Sequence, residues 1–255
     1  MKAVAIKASK KALGKDKAKK PKAMPKNHRA VMASRREPPD SLEFFPTGPW
    51  ATRAFCVHVL MNHCGIDLST KKYWEPAAGE GHMHEVLGEF FAEGYASDVF
   101  DYGRGYAQGA FVVEKTGLVD DLARCPFRPH WIVTNPPFSL AEQFVIRALQ
   151  EATEGVAIVM PMRWLEGIGR YENIFSVIPP TLIAISVERI PMHKGVWLPD
   201  GDTATSYIWF VWEKRRGGRT DTIWIPPGQR NSLEHPDDRR RFGPPVGADM
   251  FQEAP

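Results

Sequence analysis

Cysteines are few in this sequence and long apolar runs are missing, and both absences narrow what the protein can be. The three cysteines, Cys56, Cys64 and Cys125, form no Cys-x-x-Cys pair, which favours isolated thiols over a zinc site or a disulfide framework. No segment approaches the roughly 18 uninterrupted apolar residues of a membrane span. The lysine-rich N-terminus also lacks the apolar core of a secretory signal. The sequence therefore predicts a cytoplasmic protein with no membrane partner and no metal.

Acidic residues are almost missing from the N-terminal end. Residues 1–29 hold eleven Lys and Arg against one acid, Asp16, a net charge of +10, so the other 226 residues carry −7. A block of like charge with Ala, Gly and Pro cannot bury enough apolar surface to fold. The sequence therefore predicts a disordered basic arm over residues 1–36. This arm is either a solubility tail or a sequence-independent contact to nucleic-acid phosphates through counterion release.

Strand and helix signals alternate between the two charged ends of the chain. Residues 37–213 contain apolar runs of strand length separated by segments with helical apolar spacing, which predicts an α/β domain on a mostly parallel sheet. The predicted strands cover residues 72–75, 95–99, 130–134, 156–160, 181–190 and 205–212, and the predicted helices cover residues 49–64, 82–93 and 140–152. The composition after Lys214 predicts a polar, loop-rich C-terminal tail over residues 214–255, which reaches the core through Trp224 and Ile225.

A glycine turn follows the first predicted strand, and it lacks the third glycine of a dinucleotide site. Glu75-Pro76-Ala77-Ala78-Gly79-Glu80-Gly81 lies where α/β sheets bind nucleotide cofactors, at the carboxyl end of a strand. Gly79 and Gly81 allow the backbone to approach a ligand closely. Three positions after Gly81 stands His84, where a pyrophosphate-binding turn has glycine. The turn therefore favours S-adenosylmethionine, a cofactor without a pyrophosphate, and Asp98 follows at the end of the next strand to bind its ribose.

The segment Asn135-Pro136-Pro137-Phe138 follows the apolar strand predicted over residues 130–134. Its two prolines hold the backbone extended and have no amide donors, so the Asn135 side-chain oxygen and the Pro136 carbonyl become fixed acceptors. Two such acceptors can hold both N–H bonds of an exocyclic adenine amine and free its lone pair for attack on a methyl group. Phe138 offers a ring face for a base swung out of its helix. This segment is therefore predicted to be the catalytic loop of a nucleic-acid adenine methyltransferase.

These motifs together resemble those of the DNA amino-methyltransferases of the N6-adenine type, especially small phage-encoded members. The similarity covers roughly residues 44–212. The resemblance implies a Rossmann-like class I methyltransferase fold, with a seven-stranded, mostly parallel sheet and a reversed last hairpin. It also implies a bacterial or phage-infected cell as the location, and DNA rather than RNA as the nucleic-acid partner.

The resemblance further implies a role for each matching position. Phe45-Pro46-Thr47-Gly48, with Gly48 where the family usually has proline, matches the loop that closes over the methionine end of the cofactor. Glu75 matches a contact to that end, and Asp98 matches the ribose-binding acid. Asp120 matches the acid that binds the cofactor's adenine amine, with Asp121 as the alternative. The cofactor-binding set implied in this way is Phe45, Pro46, Thr47, Glu75, Pro76, Ala77, Gly79, Gly81, Asp98, Asp120, Asp121 and Asn135.

The substrate is less closely defined than the cofactor. RNA adenine methyltransferases and protein glutamine methyltransferases carry similar tetrapeptides, and an inactive cofactor-binding module that binds nucleic acid is a further alternative. Only 54 positions separate Gly81 from Asn135, so no large target-recognition domain is inserted between them. Sequence specificity is therefore expected to be low, short or supplied by a partner or the C-terminal tail.

Other segments have two interpretations from the sequence. Residues 186–192 resemble the segment that lines the target-base pocket in the family. Arg163, Trp164 and Glu166 follow the strand predicted over residues 156–160, and either contact the nucleic acid or have a structural role. His82 is expected to be an exposed residue at the start of a helix.

Overall fold

The computed structural model describes residues 43–112 and 122–244. The predicted basic arm over residues 1–36 lies outside the described residues, as do Asp120 and Asp121. The arm and these two acids therefore stay predictions.

The described chain folds around one sheet of eight strands. The strands are β1 (Lys72–Glu75), β2 (Glu93–Asp98), β3 (Ala107–Gln108), β4 (Trp131–Thr134), β5 (Gly155–Pro161), β6 (Leu182–Ser186), β7 (Tyr207–Glu213) and β8 (Asp221–Ile225). Their order across the sheet is β3-β2-β1-β4-β5-β7-β6-β8. All strands run parallel except β7, which is antiparallel to both β5 and β6.

Helices connect β1 to β2, β4 to β5 and β5 to β6, and others precede β1 or follow β8. They are α1 (Pro49–Ala54), α2 (His82–Leu87), α3 (Ala141–Glu151), α4 (Ile168–Arg170), α5 (Gln229–Leu233) and α6 (Asp238–Phe242). Two of them continue as π-helical turns, α1 through Phe55–His63 and α4 through Tyr171–Phe175, and a 3₁₀ turn covers Met162–Leu165. Within the two described ranges, no helix is long and apolar enough to cross a membrane.

The central strands are buried on both faces, as expected for a parallel sheet covered on each side. Every residue of β4 and of β5 is buried. Because side chains alternate between the faces of a strand, Val159 of β5 packs in the core that contains Phe55, whereas its neighbour Ile158 packs in the core that contains Phe144 of α3. The sheet therefore separates two apolar layers and leaves the strand ends to carry polar groups.

The predicted α/β class and the reversed hairpin are confirmed, since β6 and β7 pair antiparallel. The predicted strands are all present with small shifts, although the run predicted over residues 181–190 leaves the sheet after Ser186. The sheet has eight strands rather than seven, because β8 forms within the stretch expected to be loop-rich and pairs with β6. Ile225 is buried as expected, but Trp224 is 63% exposed and does not reach the core.

A buried ion-pair cluster ties the C-terminal segment to α1. Arg53 is 1% exposed and Asp238 is 0% exposed. The Arg53 guanidinium donates to both carboxylate oxygens of Asp238, at 2.6 and 2.8 Å, and to both oxygens of Glu89, at 2.6 and 2.8 Å. It also donates to the Leu233 carbonyl at 2.8 Å. Because Leu233 and Asp238 both bind the buried Arg53, residues 233–238 are part of the folded domain. Removing one partner of such a buried pair would leave an uncompensated charge.

Candidate cofactor and catalytic site

The glycine turn after β1 has a backbone that requires glycine. Gly79 and Gly81 have φ values of +53° and +88°, in the left-handed region that side chains rarely adopt. A Cβ at Gly79 would also collide with the Phe44 ring, and a Cβ at Gly81 would collide with the Tyr106 hydroxyl. Two aromatic side chains therefore line the turn at the carboxyl end of β1.

Asp98 lies at the end of β2, beside this turn. It is 9% exposed, its Oδ2 accepts the Gly79 N–H at 2.8 Å, and its Oδ1 accepts the Phe100 N–H at 3.0 Å. Burial raises the pKa of the Asp98 carboxyl, and these backbone donors oppose the shift. Each carboxylate oxygen has a second lone pair, so Asp98 is held in a fixed orientation and can still accept hydrogen bonds from a ligand.

Glu75 is the last residue of β1, and it is a buried acid of which one oxygen lacks a hydrogen-bond partner among the described residues. It is 2% exposed, and its Oε2 has no hydrogen-bond partner among the described residues. Burial, followed by the nearby Asp98 charge, raises the pKa of the Glu75 carboxyl well above its usual value. A buried carboxylate without a donor is costly unless a cation or another donor satisfies it. The position therefore suits a positively charged ligand group.

Asn135 lies at the carboxyl end of β4 with its amide held in one orientation. Its Nδ2 donates to the Phe45 carbonyl at 2.6 Å and to the Thr47 Oγ1 at 3.1 Å. Its Oδ1 is buried and has no hydrogen-bond partner within the described ranges. Since a carbonyl can only accept, the Phe45 contact fixes the nitrogen on that side and leaves the oxygen free to accept a ligand's hydrogen.

Phe138 completes the catalytic loop with an aromatic face. Its ring stacks on Phe45, with centroids 5.2 Å apart and planes at 23°, and lies 6.1 Å from the Tyr207 ring. Pro136 is buried, whereas Pro137 and Phe138 are half-buried. The predicted catalytic tetrapeptide thus directly follows a buried strand, and its Phe138 ring is partly accessible.

The segment before α1 contacts both the glycine turn and the Asn135–Phe138 segment. Phe44 packs over the glycine turn and lies 4.9 Å from the Tyr102 ring. The next residue, Phe45, contacts Asn135 and Phe138. Pro46 and Thr47 are buried, as is Pro76, and Ala77 is half-buried. The structure therefore places the predicted residues on the described part of the chain at the carboxyl ends of β1, β2 and β4.

Several neighbours of the site were not predicted from the sequence. Phe44 and Tyr106 line the glycine turn, Tyr102 packs against Phe44, and Met192 Sδ lies 3.7 Å from Asn135 Nδ2. The 186–192 segment thus reaches Asn135 through its last residue. Aromatic residues flanking a glycine turn were the available signal, but nothing in their spacing shows which of them contact it.

His82 contradicts its expected exposure. It is 3% exposed, its Nε2 lies 3.2 Å from the Phe242 carbonyl oxygen, and its ring lies 5.2 Å from the Phe242 ring. Burial lowers the pKa of His82 to about 4. The physical reason is that α6 covers the start of α2, and that contact joins residues 160 positions apart in the chain.

Arg163, Trp164 and Glu166 separate into two groups. Trp164 is 4% exposed and packs edge-on against Phe210 at 4.9 Å, so it is a core residue. Arg163 and Glu166 are exposed and line a groove beside Phe138. The structural interpretation therefore holds for the tryptophan, and the two charged residues face the solvent near the catalytic loop.

No protein-family model matches the chain, and no curated protein matches it in sequence. Solved structures do share its fold. The methyltransferase subunit of a type I restriction-modification system from Streptococcus thermophilus matches with a TM-score of 0.53 at 9% identity, over 79% of this chain and 54% of that chain. A proposed class I S-adenosylmethionine-dependent methyltransferase from Listeria monocytogenes gives 0.48 at 8% identity, over 77% and 72% of the two chains. The modification subunit of a proposed type I restriction enzyme from Vibrio vulnificus gives 0.45 at 15% identity, over 77% and 51%.

The first of these similarities defines the fold. The strand order with its single reversed strand and the match to the Streptococcus thermophilus subunit show that the chain has the Rossmann-like fold of the class I methyltransferases. The chain spans about half the length of that subunit, since the match covers 54% of it.

Proposed function

We propose that the chain transfers a methyl group from S-adenosylmethionine to the N6 amine of adenine in DNA, acting on a base swung out of the helix. The observation that carries this proposal is the buried Oδ1 of Asn135, which has no hydrogen-bond partner among the described residues and whose amide nitrogen is already bonded to Phe45 and Thr47. Such an acceptor and the neighbouring Pro136 carbonyl suit a target amine with two N–H groups, because each can accept one hydrogen bond from it. A buried acceptor without a partner is otherwise a cost to the fold.

The residues around the glycine turn fit the cofactor. The unpartnered Glu75 Oε2 suits the ammonium of the methionine end, and the Asp98 carboxylate, held by two backbone donors, suits the ribose hydroxyls. Gly79 and Gly81 leave the backbone open to close approach. When bound, S-adenosylmethionine supplies an electrophilic methyl group with a neutral thioether as its leaving group.

The catalytic loop acts on the amine that receives this methyl group. The lone pair of an exocyclic amine is delocalised into the adenine ring, which makes it a poor nucleophile. Asn135 Oδ1 and the Pro136 carbonyl accept hydrogen bonds from its two N–H groups and favour a tetrahedral nitrogen with a localised lone pair. As the new N–C bond forms the methyl–sulfur bond breaks, and the methylated nitrogen then loses one of its protons to solvent. Because these acceptors are fixed by β4 and by Phe45, they stabilise the positive charge that develops on nitrogen without reorganising.

The partner proposed is a polyanion. The basic arm over residues 1–36 supports a nucleic acid over a protein substrate, because its charge of +10 over residues 1–29 attracts phosphates. Phe138 supports a flipped base, since its half-buried ring gives a flat apolar surface next to Asn135.

The experiment is methylation with labelled S-adenosylmethionine on unmethylated duplex DNA, single-stranded DNA and RNA, followed by nucleoside analysis. N6-methyladenine in DNA is expected, and Asn135→Ala should abolish most of it while Asn173→Ala, an asparagine whose amide donates to Glu142 at 3.3 Å on the surface, should not. Label found only in RNA, in cytosine or in protein glutamine would replace the substrate. Tight cofactor binding with no product on any of these would indicate the inactive module.

A further inference from the structure

An open groove runs between the catalytic loop and the segment that follows β5. It has a volume of about 590 Å³. Phe138 and Ser139 form one wall, and Arg163, Gly167 and Arg170 form part of the other. Because β4 and β5 are parallel neighbours, both walls follow strand ends at the same edge of the sheet. A chain lying in this groove would pass directly beside the Phe138 ring.

The charged residues of the groove differ in how they are satisfied. Arg170 donates to the carbonyl oxygens of Trp164 and Glu166, and its Nε lies 3.4 Å from a Glu142 carboxylate oxygen. The Glu43 carboxylate accepts the Ser139 N–H at 3.1 Å. The Arg163 side chain, in contrast, is exposed and makes no hydrogen bond or ion pair in the part of the chain that the structure describes, although its backbone carbonyl accepts the Glu166 N–H at 3.1 Å. It is the groove's available cation.

The charge of Arg163 also acts on Tyr207, a residue whose ring lies near Phe138. Burial raises the pKa of the Tyr207 hydroxyl, and the Arg163 charge acts in the opposite direction. Tyr207 in turn lies 6.1 Å from Phe138, ring to ring. Arg163 and Phe138 also line the same groove, so a ligand that fills it meets both side chains.

Exposed apolar side chains stand next in the chain to residues of the second wall. Ile168 is 80% exposed and follows Gly167, and Tyr171 is 63% exposed and follows Arg170. Large apolar side chains with that much exposure beside a groove indicate a surface that contacts a partner. A cation flanked by apolar and aromatic groups matches the combination by which proteins bind a single nucleic-acid strand.

We infer that this groove holds the strand that carries the target base, with Arg163 bound to a backbone phosphate next to the flipped nucleotide and Tyr171 against a neighbouring base. This inference rests on the proposed function, because it assigns the strand's path beside the proposed catalytic loop. It adds a phosphate contact made by the folded domain, separate from the basic arm.

The test compares the salt dependence of binding in the full chain. Labelled duplex and single-stranded oligonucleotides are titrated in the presence of S-adenosylhomocysteine, and log Kd is measured against log salt for the wild type, Arg163→Gln and Arg128→Gln. Arg128 is a matched control, because it is exposed but lies before β4, at the opposite end of that strand. Loss of one phosphate contact in Arg163→Gln should reduce the slope by about 0.9 on a duplex or about 0.7 on a single strand, whereas Arg128→Gln should keep the wild-type slope.

Two further variants test the sign of the charge and the apolar wall. Glu166→Gln removes an acid from the groove and should tighten binding, the opposite of Arg163→Gln. Tyr171→Ala should raise Kd about tenfold, within the range for losing one base–aromatic stack, with the salt slope unchanged. All these side chains are exposed, so the melting temperatures should match the wild type.

The outcomes separate this inference from the proposed function. A wild type that binds no nucleic acid in a salt-dependent manner overturns the proposed function itself. A wild type that binds, with Arg163→Gln and wild type showing equal slopes, overturns the groove assignment alone. The same holds if Arg128→Gln loses as much slope as Arg163→Gln, or if Glu166→Gln weakens binding. A slope loss confined to Arg163→Gln establishes the contact.

Discussion

The Trp197 indole lies against Gly48, so closely that a Cβ at position 48 would stand 2.9 Å from Trp197 Nε1. Trp197 belongs to the connection between β6 and β7 and is 2% exposed, in a cluster with Val86 and Phe242. Gly48 stands where the resembling family usually has proline, and this contact gives the physical reason. The connection between β6 and β7 is thereby packed onto the segment before α1.

We expect Gly48→Ala to destabilise the protein by about 1–3 kcal/mol, the usual cost of overpacking a buried contact. Trp197→Phe removes the Nε1 that the new methyl group meets, so the double variant should be less destabilised than the two single effects added together. Denaturant unfolding measures all four proteins. Strict additivity would show that position 48 and Trp197 do not share this contact.

Asn135→Ala should reduce turnover by about 10²–10³, as when one preorganised partner of a transition state is lost, and leave cofactor affinity unchanged. Thr47→Val keeps the side-chain shape but removes the acceptor that lies 3.1 Å from Asn135 Nδ2. It should lower kcat by a smaller factor, because the Phe45 carbonyl still holds the amide. A Thr47→Val enzyme with unchanged kcat would assign the orientation of Asn135 to Phe45 alone.

Asp98→Ala should weaken S-adenosylmethionine binding by about 1.5–3 kcal/mol, the range for a hydrogen bond to a charged group. Asp101→Ala is the control, because Asp101 also accepts a backbone N–H, that of Gly103 at 2.7 Å, but is exposed. Calorimetry on both variants checks the assignment. Equal affinities for Asp98→Ala and the wild type would remove Asp98 from the site.

Phe138→Ala should raise the Kd for nucleic acid by the equivalent of about 1–3 kcal/mol of base stacking, whereas Phe138→Tyr should be tolerated because it keeps the ring face. Methylation rates at low and at saturating substrate distinguish capture of the base from chemistry. A Phe138→Tyr enzyme as impaired as Phe138→Ala would argue that the ring packs on Phe45 rather than on a substrate base.

His82 should make the folded state acid-sensitive. Its pKa is lowered to about 4 in the folded protein, against about 6.5 in an unfolded chain, so the unfolded state binds the proton more readily. The stabilisation is present above pH 6.5 and is lost as the pH falls towards 4, by about 3 kcal/mol in total.

Glu75 acts in the opposite direction, because its raised pKa favours folding at low pH. The contribution of His82 is therefore measured by comparing the pH profile of the unfolding free energy in a His82 variant with that of the wild type. His82→Gln should flatten the unfolding free energy between pH 6.5 and 4 relative to wild type. Parallel profiles for the wild type and His82→Gln would refute the role of this histidine.

The sequence was sufficient to predict the structure in segments where the local pattern of residues determines it. The all-apolar run of β5 and the extended Asn-Pro-Pro-Phe segment after β4 are each set by neighbouring residues. β8 was missed because its apolar residues alternate with the exposed Thr222 and Trp224 inside a stretch rich in Gly and Pro. Its pairing with β6 is a tertiary contact, and strand formation depends strongly on such contacts.

The environment of the site could not be predicted for a related reason. Phe44 covers Gly79, and Phe242 covers His82, but no spacing within the sequence links these pairs. The residue types at the site were predictable because the chemistry restricts them. Their neighbours only have to fill a volume, and many apolar residues can do that.

The contact between Arg53 and Asp238 also bears on how the protein is made. The two residues are 185 positions apart, so during synthesis the buried guanidinium of α1 leaves the ribosome long before its carboxylate partner. Strand β7, which lies between β5 and β6 in the sheet, likewise follows both of them in the chain. Domains generally fold as units as synthesis proceeds, and in a nascent chain of this protein that ends before Asp238 the Arg53 guanidinium has only one of its two carboxylate partners, Glu89. The fold is therefore completed late in translation, and ribosome-bound chains that stop at residues 213 and 244 should differ sharply in resistance to protease.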